Sequence, residues 1–282
     1  MPVHDAYARI TPYELLLPDE EFADKPLLRA RVKETVASTF VGLGLYREAL
    51  PQLEAALETR RALLGDGHPD TLLVRAQLGH LLESLDELDR AVELLRSSVE
   101  GMTREFGADS RHTLCSQCLL AAALAASSRL DESLALFRRT VEAQRRLLGP
   151  EHPDTLFTLC KWSYSLIRAG RHREATALAR QAQEIGLHRL GPFHHVTIYA
   201  DTLLGWDRMV QGEREAPKAL LRDALERSVE VLGESHRITF VARSGLALCL
   251  EGEDERPERE VLFRGVLSSC RAGLGEMHSY TH

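Results

Sequence analysis

The chain repeats itself. LGDGHPDTL (64–72) returns as FGADSRHTL (106–114), LGPEHPDTL (148–156), LGPFHHVTI (190–198) and LGESHRITF (232–240), and a further copy, LGEMHSYTH, occupies 274–282. The spacing is 42 residues throughout, so Thr71, Thr113, Thr155, Thr197, Thr239 and Thr281 are equivalent positions. A fixed period in this range marks a solenoid: a unit this short cannot bury its own apolar face and does so only by stacking on its neighbours. The 282 residues are therefore expected to form one elongated domain rather than two globular ones. Such an object offers surface rather than a closed active-site cavity.

Between the Leu-Gly landmarks, apolar residues follow the period of an amphipathic helix, with two helices per unit. In the second unit Leu72, Leu78 and Leu82 mark the first helix, and Leu88, Val92, Leu95, Val99 and Met102 the second, with a polar break at 83–87. Gly170 and Gly212 fall in the corresponding breaks of later units, where a helix C-cap needs left-handed dihedrals; the glycine of each Leu-Gly landmark plays the same part after the second helix. Pro69, Asp70, Pro153 and Asp154 supply helix N-terminal chemistry. Three rows of small residues set the register: Ala37, Gly79, Ala121, Ser163, Gly205, Ala247; then Ala56, Ser98, Thr140, Ala182, Ala224; then Ala49, Ala91, Ser133, Ala175. A small side chain once per helix is what close helix approach requires. The third row fails at Pro217 and Arg259, which makes the last two units the least regular.

These features resemble tetratricopeptide repeats of the longer kinesin-light-chain type, over about residues 26–277. The stretch FADKPLLRARVKETVASTFVGLGLYREALPQLEAAL is also similar to the first repeat of arrays attached to bacterial Ser/Thr kinases, although the sequence has no Gly-rich phosphate loop, HRD-type loop or DFG. The resemblance implies an all-α, right-handed superhelical solenoid of about six 42-residue helix-turn-helix repeats. Its units are 26–67, 68–109, 110–151, 152–193, 194–235 and 236–277, preceded by an extension with a capping helix (1–25) and followed by the start of an incomplete repeat (278–282). The whole is expected to be a curved, open-ended rod. Solenoids finish with a polar outer face, yet the last helix carries Val261, Leu262, Val266 and Leu267, so this edge is expected to fray, to pair with another chain or to have continued into more repeats in an ancestor.

A formal charge of −7 and a pI near 6.0 give no global field for nucleic acid or an anionic membrane. No apolar stretch approaches the ~20 residues of a membrane span, and the start, MPVHDAYARITPYELLLPDE, has no signal-peptide core, so a cytoplasmic protein is expected. The five cysteines fit a reducing compartment. Lysine occurs only at Lys25, Lys33, Lys161 and Lys218, a bias that together with the Ala and Leu content suits a GC-rich bacterial genome.

His68, His152, His194, His236 and His278 form a ladder, with Ser110 replacing one member. One repeat apart, they are too distant to share a metal, and the expected role is a hydrogen bond across the inter-repeat turn. Cys115 and Cys118 make a CxxC, and Cys160 follows on the equivalent face of the next unit, so three thiols point towards a common region. A fourth ligand is missing and the pair lies inside a helix, so these read as small buried apolar residues before a metal or redox site. No HExxH or GxSxG, no catalytic constellation and no cofactor motif appears, and the chain reads as non-catalytic.

The resemblance also implies that the first helices line the concave face. Groove positions counted from the mid-helix small residue are Leu73, Ala76, Gln77 and His80; Cys115, Cys118, Leu119 and Ala122; Phe157, Cys160, Lys161 and Tyr164; and Tyr199, Thr202, Leu203 and Trp206. Chaperone-binding relatives hold a terminal carboxylate with a Lys/Asn/Lys/Arg clamp; Thr35, Gln77 and Leu119 depart from it, which argues against chaperone tails. The middle of the groove is apolar and aromatic, with Lys161 and Arg168 as its main positive groups. The expected function is a protein-interaction scaffold taking a peptide segment on Leu73, Gln77, His80, Leu119, Phe157, Lys161, Tyr164, Arg168, Tyr199, Leu203 and Trp206, in bacterial signalling. The alternative is a ligand-sensing module that takes a small peptide, or a metal through Cys115, Cys118 and Cys160.

Overall fold

The computed structural model describes residues 22 and 24–274, with side chains as far as 271. Among them are twelve helices and no strand. They fall into six consecutive pairs: α1 (Pro26–Gly42) with α2 (Tyr46–Leu64), α3 (Pro69–Ser84) with α4 (Leu88–Phe106), α5 (Arg111–Ala126) with α6 (Leu130–Leu147), α7 (Pro153–Arg168) with α8 (His172–Arg189), α9 (His195–Val210) with α10 (Glu215–Leu232), and α11 (Arg237–Cys249) with α12 (Arg256–Leu274). The expected capping helix within 1–25 and the partial repeat at 278–282 lie outside the described residues, apart from Phe22, Asp24 and Lys25.

Each pair is cinched at the small-residue rows. Ala37, Ala121, Ser163, Ala247, Ala49, Ala91, Ser133, Ala175, Ala56, Ser98, Thr140, Ala182 and Ala224 all have no exposed surface. A Cβ on Gly79 would stand 2.6 Å from Leu95 Cγ, and one on Gly205 the same 2.6 Å from Leu221 Cγ, so glycine there is a packing requirement. Where serine replaces alanine in a row, its hydroxyl bonds the partner helix. Ser133 Oγ donates to the Ala121 carbonyl at 2.6 Å and Ser163 Oγ to the Ala175 carbonyl at 2.9 Å, satisfying a polar group that would otherwise be buried alone.

The joints carry their own chemistry. His68, His152, His194 and His236 are N-caps of α3, α7, α9 and α11, each accepting through Nδ1 from the backbone N–H two residues on, at 3.1–3.3 Å. The expected bond across the inter-repeat turn is thus a cap within one helix start. Ser110, the exception in the ladder, caps α5 by accepting from the Thr113 N–H at 3.2 Å. The threonine row closes the loop behind the cap: Thr113, Thr155 and Thr239 donate to the carbonyls of Gly107, Gly149 and Gly233 at 2.8, 2.9 and 2.8 Å. Gly149 has φ +96°, a value few side chains tolerate. Between the helices of a pair the same left-handed position is held by Gly170, but in the second and third units by Asp86 (φ +64°) and Ser128 (φ +63°).

Curvature follows from how the layers meet. Successive first helices pack on one another from α3 to α11, whereas each second helix packs on the first helix of its own pair and of the next. First helices therefore crowd the inner face and second helices splay outside. On the outside, ion pairs bridge neighbouring second helices: Glu54 with Arg90 (3.0 Å), Arg96 with Glu132 (2.7 Å) and Arg222 with Glu258 (2.8 Å). All are substantially exposed and worth at most about 1 kcal/mol each.

The rod is not open-ended. Six units of rotation bring the last pair back to the first, so that α12 touches α2 and the α1–α2 turn meets the joint before α11. Of the apolar residues on α12, Val266 faces the interior of this turn and Leu262 packs on the last core cluster, leaving Val261 and Leu267 exposed.

Candidate functional site

Closure of the superhelix creates a cavity of about 360 Å³ on the inner face. That lies within the roughly 300–1,000 Å³ of ligand sites. Every helix pair contributes to its wall: Tyr46 from α2, Glu83 from α3, Ala126 from α5, Tyr164 and Arg168 from α7, Trp206 from α9, and Arg237 and Phe240 from α11. The C-terminal parts of α3, α5, α7 and α9 converge here with the N-terminal half of α11.

Part of its wall is a charged cluster assembled from the second, fourth and sixth units. Arg237 donates through both terminal nitrogens to Glu83, at 3.1–3.4 Å, and its guanidinium also lies 5.7 Å from the centre of the Tyr164 ring. Burial opposes the Glu83 charge, but Arg237, then Lys161 and His80, outweigh it and hold the carboxyl well below the usual carboxylate range. His80 sits 4.0 Å from Glu83. Burial, then the Lys161 charge, push its imidazole down to about 4. Burial raises the phenols of Tyr199 and Tyr46. A pair this enclosed is costly to break, since either partner left alone is an uncompensated charge.

Of the residues expected in the groove, Tyr164, Arg168 and Trp206 line the cavity. Phe157 and Tyr199 are not in its lining and pack on each other, with ring centres 6.3 Å apart. His80 belongs to the charged cluster, Gln77 is exposed, and Leu73 and Leu119 are half-buried against the core of the first units. Two expectations need correction. Leu203 has no exposed surface and is a core residue, because its side chain is packed in the buried cluster centred on the fourth and fifth units. Lys161 is 5% exposed, over the Phe157 ring at 5.7 Å. Burial, then Arg237, lower its pKa, so the positive groups presented to the cavity are Arg168 and Arg237.

The cysteines do not form a centre. Cys115 Sγ contacts the Asp154 carboxylate at 3.7 Å, whereas Cys160 Sγ points to the Val196 carbonyl at 3.9 Å. Burial pushes the Cys115 thiol up to about 12 and raises those of Cys118 and Cys160. Among the described residues no group of three or more His, Cys, Asp or Glu is placed to hold a metal ion. Sequence reasoning missed Tyr46, Glu83, Arg237 and Phe240. Glu83 and Arg237 lie at helix ends in units four apart, and nothing local marks them as partners.

No helix among the described residues is long and apolar enough to cross a membrane. A tetratricopeptide repeat family profile matches residues 28–104 and 112–187, together more than half of the chain. Comparison with curated proteins gives no match. Among solved structures, the nearly identical TPR-like repeats of a protein described as a kinesin light chain from Podosopora anserina are 24% identical. They cover 73% of this chain and 97% of that one, with a TM-score of 0.54. BtubC (BKLC) from P. vanneervenii is 12% identical over 80% of this chain and 89% of its own, with a TM-score of 0.56. A Rap protein complexed with Competence and Sporulation Factor is 11% identical over 92% of this chain and 76% of its own, with a TM-score of 0.67. Those likenesses show a shared fold, with repeats similar to those of the kinesin-light-chain type, and the profile match shows the family: the chain belongs to the tetratricopeptide repeat family.

Proposed function

We propose that this protein is a non-catalytic scaffold that binds a short peptide segment of a signalling partner in the inner cavity. The observation that carries this reading is the convergence of all six helix pairs on one hollow walled by Tyr46, Tyr164, Trp206 and Phe240, with Arg168 exposed at its rim. Aromatic walls take an aliphatic or aromatic anchor, and Arg168 takes an acid beside it. One fully buried anchor contributes about 1.5–3 kcal/mol, so two or three support micromolar binding after the ordering cost. The Rap structure, solved with a bound factor, supports the idea that a solenoid of this shape holds a ligand.

A displayed library of random peptides tests this. Sequences selected by the wild type should share an apolar anchor next to an acid, and Trp206→Ala should weaken them by about 10-fold to 100-fold, as expected for one buried anchor. Unaltered helicity shows that the variant is folded. Selection of the same peptides with equal strength by wild type and variant places binding elsewhere.

A further inference from the structure

We propose that Glu83 and Arg237 are a clasp that holds the six helix pairs as a closed turn, and that opening of this clasp admits the partner segment to the cavity. The inference rests on the peptide-binding reading for its purpose but not for its test.

The seam between the ends of the solenoid is built unlike every other junction. Consecutive pairs are joined by covalent loops and by buried apolar side chains. Across the seam no buried apolar cluster joins α1 and α2 to α11 and α12 among the described residues. Among the described residues the join includes the pair of Arg237 on α11 with Glu83 on α3, the approach of α12 to α2, and the contact of Gly44 with Ser235, whose carbonyl oxygen leaves no room for a Cβ on Gly44. Glu83 keeps only 7% of its side chain exposed, so closure removes its charge from water and Arg237 compensates.

Such a pair is a switch rather than glue. Its Coulomb gain largely repays desolvation, so the closed turn holds while both charges are present and gains little beyond that. The apolar junctions elsewhere, by contrast, scale with buried area and stay shut. Glu83 and Arg237 also line the cavity, so the seam opens directly onto the site. A partner segment that belongs to a folded protein could then enter sideways, without threading a free end along the superhelix axis.

The test needs no ligand. The chain has two tryptophans, and Trp162→Phe leaves Trp206 as the reporter of the cavity. In that background Arg237→Gln takes its nearest cation from the buried Glu83, and Glu83→Gln leaves the partly exposed Arg237 without its carboxylate, which should shift the open-to-closed ratio on the order of 10-fold to 100-fold. The expected results are a larger radius of gyration by small-angle scattering and stronger acrylamide quenching of Trp206, with helicity kept. Folded variants with wild-type scattering and quenching overturn the clasp. A second arm needs no variant: the scattering profile of the wild-type chain should fit the closed turn in which α12 meets α2. A wild-type profile that fits only an open superhelix overturns the closed turn itself. Either negative result leaves the peptide-binding reading standing if Trp206→Ala still weakens the selected peptides.

Discussion

Nδ1 of His152 accepts a hydrogen bond from the backbone N–H of Asp154 at 3.1 Å, the same service that Ser110 Oγ performs for the Thr113 N–H one unit earlier. The recurring histidine is therefore selected as an acceptor at a helix start, and its imidazole chemistry is incidental. His152→Ser should hold stability within about 0.5 kcal/mol, whereas His152→Ala should lose about 1 kcal/mol. Urea midpoints at constant slope separate the two.

Acceptance through Nδ1 requires a neutral ring, which gives the cap at His236 a pH dependence. Burial, then the His195 and Arg237 charges, push His236 down from 6.5 to about 4. His80 is shifted over the same interval. In that window the unfolded chain binds more protons than the folded one, so stability is full above pH 6.5 and falls as the pH drops towards 4. Both rings keep some solvent contact, and the loss is on the order of 1 kcal/mol per histidine. His236→Asn should flatten part of the slope of unfolding midpoint against pH; an unchanged slope would count against the assignment.

Equivalent threonines are not equal in energy. Thr155 Oγ1 donates to the Gly149 carbonyl at 2.9 Å, whereas the buried hydroxyls of Thr71 and Thr197 have no hydrogen-bond partner. Thr155→Val should therefore cost about 1 kcal/mol, and Thr71→Val and Thr197→Val should be neutral or stabilising. Equal losses at all three positions in thermal unfolding would show that the row acts through packing alone.

Gly79 and Gly205 face Leu95 and Leu221 at distances that leave no room for a methyl group. Alanine at either site gains about 1 kcal/mol of helix propensity but overpacks the crossing by about 1–3 kcal/mol. A net loss of stability is expected for both, in contrast to the usual gain from Gly→Ala in a helix. A stabilised Gly79→Ala variant in calorimetry would mean that the helices of this pair sit further apart.

Much of this architecture was legible before any coordinates. The Leu-Gly landmarks and the three small rows put two helices in each unit because their causes are local: helical periodicity, capping and a single close crossing are settled within about 40 residues. The Pro and Asp after the ladder position even announced a helix start, so the cap could have been read from them. The groove was legible only in part. Tyr164, Arg168 and Trp206 reach the cavity, but Leu203, three residues before Trp206, turns into the core, since each residue step rotates a side chain by about 100° around the helix.

What sequence alone determined, then, is the unit: its two helices, its joint and the phase in which neighbours stack. Tertiary structure alone decided that six units complete a turn, that Glu83 meets Arg237 across 154 residues, and that a cavity closes where a rod end was expected. The reason is physical. Curvature arises from a small rotation between neighbours that no single repeat displays, and only its sum over the whole array fixes which distant residues come into contact.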